Sequence, residues 1–170
     1  MTKLALQPKI DPASYARASQ EVKGSLAFAE MPRLLEVLAN DKGAVEYCLS
    51  FTVDEEKFVV IGVNAKAALP LICQRCMQPF EYKVKLYSEL SPVTNPDKAN
   101  DLPERYEAWP LSEEMTIVPI DIIEEELLLS LPIVPMHDEA ICPATKLLAA
   151  SKPSEQTATH KPFANLQKLK

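Results

Sequence analysis

The strongest constraint on the fold is a C-x-x-C pair, Cys73-Gln74-Arg75-Cys76, set between two stretches whose apolar residues recur at every second position. Before it, Val45, Tyr47, Leu49, Phe51 and Val53 share one face of a strand over residues 43–53, with Cys48 on the other face, because side chains alternate along an extended chain. Asp54-Glu55-Glu56 supplies a polar turn, and residues 58–69 return as the next strand. After the pair, Phe80, Tyr82, Val84 and Leu86 alternate through residues 80–90. Strand, cysteine turn, strand is the local architecture this pattern predicts.

The flanking chain supplies helices. Residues 3–7 alternate weakly and could form a first strand. Asp11-Pro12 reads as a helix start, an acid at the cap and proline in the first turn, with a short helix running to about Ser19. Residues 21–29 alternate, with Val22, Leu26 and Phe28 as inward candidates. Pro32 opens a second helix whose Leu34, Leu35 and Leu38 make an apolar stripe ending near Asn40. Residues 91–112 are polar, acidic and proline-marked, and read as a long excursion with one short strand near residues 106–109. Trp109, the only tryptophan, is expected to pack back on the sheet in preference to anchoring a partner.

The most regular helix is expected over residues 119–131. Ile120, Ile123, Leu127 and Leu131 fall at helical spacing, Glu124, Glu125 and Glu126 form a solvated acidic side, and Pro132 ends it. The expected fold is α+β: a single domain over residues 1–145, with an antiparallel sheet and helices packed at one side. Residues 146–170 are expected to be a linker and a mobile basic amphipathic segment, with Phe163, Leu166 and Leu169 at i, i+3 and i+6.

Charge divides the chain unevenly. Residues 1–94 carry eleven positive and eleven negative side chains, residues 95–145 twelve acids against Lys98 and Arg105, and residues 146–170 five lysines against Glu155. The acidic middle repels phosphate backbones, so charge gives no support to broad nucleic-acid binding. With only three glycines, a phosphate-cradling loop is nearly excluded. There is no Ser-His-Asp order. The first residues lack a secretory apolar region, no run of about eighteen apolar residues exists, and four cysteines do not read as a disulfide framework. The expectation is a cytoplasmic protein without a membrane span.

Two chemistries use a C-x-x-C pair: a redox disulfide, or one side of a tetrahedral metal site. Redox work wants the first cysteine at a helix N-terminus, whereas Met77-Gln78-Pro79-Phe80 leads into a strand. A metal needs a second local pair, and His137 and Cys142 offer H-x4-C just after the best helix. Cys73, Cys76, His137 and Cys142 are therefore the candidate ligands of a structural zinc. The bland alternative stays open at this point, with buried cysteines and a surface histidine. Cys48 reads as a strand residue, and His160 lies in the expected linker. Asp138 and Glu139 adjoin His137, which is weak evidence for support of a ligand or for acid–base work.

Three separated motifs resemble the bacterial YceD family, whose members are described as large ribosomal RNA subunit accumulation proteins. They are Cys73-Gln74-Arg75-Cys76-Met77-Gln78-Pro79-Phe80, then Leu131-Pro132-Ile133-Val134-Pro135-Met136-His137-Asp138 with Cys142, and the ending Pro162-Phe163-Ala164-Asn165-Leu166-Gln167-Lys168-Leu169-Lys170. The resemblance implies a cytosolic role in synthesis, processing or stability of large-subunit ribosomal RNA, and the reading favoured is non-enzymatic support of large-subunit assembly. It names no catalytic residues. The partners expected are that RNA, directly or through a protein, and a basic ribosomal protein or assembly factor facing the acidic surface. The alternative class is a metal-dependent RNA-processing enzyme.

Overall fold

A computed structural model describes residues 9–145. The strand expected at residues 3–7, the linker and the basic C-terminal segment lie outside the described residues.

Five strands, β1 (Glu21–Ala27), β2 (Ala44–Val53), β3 (Val59–Ile72), β4 (Pro79–Val93) and β5 (Glu107–Pro110), form one sheet in chain order. The first three pairings are antiparallel and β5 lies parallel to β4. Short turns explain the meander. At the β2–β3 turn the Asp54 carboxylate accepts from the Phe58 backbone N–H at 2.8 Å, and Lys57 takes φ 71°. At the entry to β2, Gly43 takes φ +124°, and a Cβ there would stand 2.5 Å from Phe28 Cε2. Only glycine fits both demands.

Register decides which face is the core. Val22 pairs with Leu49, Leu49 with Val63, and Phe51 with Ile61, which in turn pairs with Leu90. All five apolar partners of β2 to β4 in this set are fully or almost fully buried, each worth about 2–3 kcal/mol of transferred apolar surface. The same face carries the helices α1 (Pro12–Arg17), α2 (Pro32–Leu35) and α3 (Pro119–Leu129). Asp11 caps α1 by accepting from Ala13 and Ser14 N–H, and Tyr15 meets Phe51 edge-on with ring centroids 5.3 Å apart. Leu34 of α2 and Ile122, Ile123 and Leu127 of α3 complete the core. The α+β arrangement with helices on one side of a mostly antiparallel sheet is as the sequence predicts.

Four local expectations are corrected. The second helix stops at Leu35 and does not reach Asn40. The sheet runs on through Ser91 and Pro92 to Val93, past the last residue paired with β3, where a proline withdraws no donor from that ladder. Val53, at the end of β2, is 44% exposed instead of inward. Most consequentially, Glu124 and Glu126 are not a solvated face, since both are buried. Trp109 packs against the core as expected, and the excursion contains a short 3-10 helix at Pro96–Asp101.

Candidate metal centre

The β3–β4 hairpin closes with the pair Ile72↔Pro79, which leaves residues 73–78 to turn the chain. Within that turn the Cys73 N–H donates to the Gln78 carbonyl at 2.9 Å, and the Met77 N–H donates back to the Cys73 carbonyl at 2.8 Å. Met77 reverses the chain with φ 58°, unusual for a residue with a side chain. The loop curls so that Cys73 and Cys76 present their sulfurs to one centre.

The second pair arrives from the loop after α3. Gln74 N–H donates to the Pro135 carbonyl at 2.8 Å and docks that loop on the cysteine turn. The His137 N–H then points at Cys73 Sγ, 3.5 Å away, and His137 Nδ1 stands 3.4 Å from Cys76 Sγ. The Phe80 ring lies 4.9 Å from the imidazole at a 39° tilt and fixes its plane. Beyond it, the Ile141 and Cys142 N–H groups both donate to the Asp138 carbonyl at 3.1 Å, a tight turn that brings Cys142 back to the cluster.

The four ligand atoms of Cys73, Cys76, His137 and Cys142 lie within 4.8 Å of one another. A tetrahedral zinc with bonds of about 2.3 Å to sulfur has edges of roughly 3.8 Å, so small side-chain adjustments close the set. Three thiols and an imidazole are the borderline-soft donors that zinc takes, and four protein ligands fill a tetrahedron with no position left for substrate. Cys73 and Cys142 are buried, Cys76 and His137 half-buried.

The thiols are electrostatically unequal. Burial pushes Cys73 up, but the N–H groups of His137, Arg75 and Cys76 and the His137 ring outweigh it and bring the thiol down to about 5. Cys76 is held above its ordinary value by burial and by the neighbouring Cys73 and Cys142 sulfurs, against a single lowering contact from Gln78 N–H.

Every ligand expected from the sequence is brought to this one place. Cys48 is not, sitting half-buried on β2 away from the cluster, and His160 lies outside the described residues. Asp138 contributes through its backbone carbonyl. Glu139 reaches Arg75 at 3.8 Å. Arg75 is the residue that the spacing argument passed over. From inside the C-x-x-C turn its guanidinium donates to Thr145 Oγ1 at 3.0 Å and to Met136 Sδ at 3.6 Å, bracing the loop that carries His137 and Cys142. A cation between the two cysteines of the C-x-x-C turn is the signal that could have found it.

A sheet hairpin and a post-helical loop that share one three-cysteine, one-histidine cluster define the class: an α+β protein with a candidate metal centre between hairpin and loop. The chain belongs to the YceD family, because residues 61–170 match the family described as Large ribosomal RNA subunit accumulation protein YceD. That span begins in β3 and includes all four cluster residues. The chain is also 36% identical over 172 residues to the Large ribosomal RNA subunit accumulation protein YceD of Haemophilus influenzae, covering 100% of this chain and 99% of the relative. No solved structure matches.

Proposed function

We propose that the protein is a cytoplasmic, non-enzymatic ribosome biogenesis factor that supports the synthesis, processing or stability of large-subunit ribosomal RNA. The full-length likeness to the Haemophilus influenzae protein carries this reading. Residues 1–145 act as the folded unit. It meets a basic ribosomal protein or assembly factor through its acidic surface, and the lysine-rich residues 146–170 contact RNA. The experiment is deletion of the gene followed by quantification of both ribosomal RNAs. The expected result is a fall in the large-subunit RNA relative to the small, restored by the parent gene. An unchanged ratio overturns the reading.

Cys73, Cys76, His137 and Cys142 hold one structural zinc in this proposal. The gathering of four such donors supports it, and a filled tetrahedron favours a structural over a catalytic ion. Metal analysis of protein purified without chelator should find one zinc per chain, and none in Cys142→Ser. No metal in either removes the zinc. The same cluster motivates the rival reading of a metal-dependent RNA-processing enzyme. That reading requires nuclease activity that Cys73→Ser and His137→Ala abolish without loss of fold.

A further inference from the structure

Between the edge strand β5 and the outer side of α3 lies a groove of about 390 Å³. Trp109 and Leu129, the latter 66% exposed, give it apolar walls, and Glu107, Glu125 and Glu126 converge on it. These carboxylates are not equivalent. Glu107 is exposed, and Glu125 binds Arg33 Nη1 at 2.7 Å. Glu126 is only 8% exposed, and the Ser88 hydroxyl donates to its Oε2 at 2.7 Å. Among the described residues no cation stands within ion-pair distance of Glu126 or of Glu107. A hydroxyl donor leaves the charge of a carboxylate in place, and a buried charge is costly unless a counter-charge meets it. The groove therefore sets two carboxylates without a cationic partner among the described residues, one of them withdrawn, beside an indole.

We propose that this groove binds the guanidinium side chain of an arginine presented by a basic protein segment. A guanidinium is planar and weakly hydrated, and it stacks on an indole while its N–H fork meets carboxylates. Its methylene stem suits the apolar wall at Leu129. An RNA backbone is the wrong charge for this site. The inference rests on the protein-partner part of the proposed function and gives that partner a recognised residue.

Trp109 is the only tryptophan of the chain, so its emission reports on the groove directly. The full-length protein is titrated with acetyl-triarginine amide, followed by tryptophan fluorescence. A saturable change is expected, weakened at least tenfold by Glu126→Gln and by Glu107→Gln. Glu104→Gln, an exposed acid outside the groove, should stay within twofold of the parent. The citrulline peptide, isosteric and neutral, should give no change. Glu107→Gln alters an exposed position and so reads the groove without touching the core. Equal binding by the two groove variants and the parent overturns the proposal, as does equal binding of the trilysine peptide. A uridine oligonucleotide that saturates the Trp109 signal also overturns it. If the groove variants restore normal large-subunit RNA in the deletion strain, the groove fails while the proposed function stands. An unchanged RNA ratio on deletion is the separate failure of that function.

Discussion

Glu124 gives both of its carboxylate oxygens to one short segment. Oε2 accepts from Arg33 Nε at 3.1 Å and Oε1 from the Leu34 N–H at 3.0 Å, so a side chain of α3 caps the first turn of α2. Glu124→Ala leaves that donor buried and unmet and is expected to cost about 2 kcal/mol in urea unfolding. Glu125→Ala, which removes a more exposed partner of the same arginine, should cost less than about 0.5 kcal/mol. Equal losses would show that the cap does no work.

Glu126, two residues on, behaves differently. Burial lifts its carboxyl above the ordinary 4.5, the Ser88 hydroxyl pulls it down, and Glu107 and Glu125 add to the rise. The folded chain therefore holds this proton more tightly than the unfolded chain, and ionisation costs stability as pH rises through the raised value. Glu126→Gln is expected to raise Tm at pH 7 by about 2 °C. The gap should close as pH falls below the ordinary 4.5, where the acid is protonated in both states. A lower Tm for the variant at pH 7 would contradict this. Neither role was legible in Glu124-Glu125-Glu126. Acids in the first turns of a helix ordinarily face water, and the groups that draw these two inward, Leu34 and Ser88, are 90 and 38 residues away.

Among the elements, the β3–β4 hairpin sets the reach of the sheet. Its register runs from Ile61↔Leu90 to Ile72↔Pro79, a ladder of roughly 40 Å at about 3.4 Å per residue. The far end is met by the loop after α3, through Gln74 N–H on the Pro135 carbonyl and the four-ligand cluster. In Cys142→Ser, hydrogen exchange at the Gln74 amide, which holds the docked loop, should accelerate more than tenfold. Unaltered exchange at Gln74 would mean the loop docks without the cluster. Alternation made β2 to β4 readable because one face is buried throughout. It overran at α2, where Leu35 and Leu38 are apolar at helical spacing, but the chain must turn within a few residues to reach Gly43 and enter β2. The gathering of Cys73, Cys76, His137 and Cys142 was readable from local pairs. The bracing by Arg75 was not, because Thr145 is 70 residues distant.

At the scale of the whole molecule, one face of the sheet carries α1, α2 and α3 and the other presents exposed side chains such as Lys23, Lys66, Lys85 and Tyr87. Among the described residues no helix is long and apolar enough to cross a membrane. A one-sided layer has a single core, so a fastening at one end is felt across it. A metal at a hundredfold excess over its dissociation constant adds about 2.7 kcal/mol to the folded state, or roughly 5–10 °C for a chain of this size. Stripping metal with a chelator should lower Tm by that much in the parent and leave Cys142→Ser unmoved. A parent indifferent to chelator excludes the metal from the stability of the fold. The overall class was legible because it follows from the order of alternating and helical stretches, which is a property of the chain taken one residue at a time.

The separation of the two halves of the cluster also has a consequence in time. Cys76 and His137 are 61 residues apart, so at about 5–20 residues per second the ribosome adds the second half roughly 3–12 s after the first. Through that interval the hairpin tip carries two bare thiols. A chain released before residue 137 carries Cys73 and Cys76 without His137 and Cys142. The second half of the cluster thus reaches the first only after all five strands and α3 have been made.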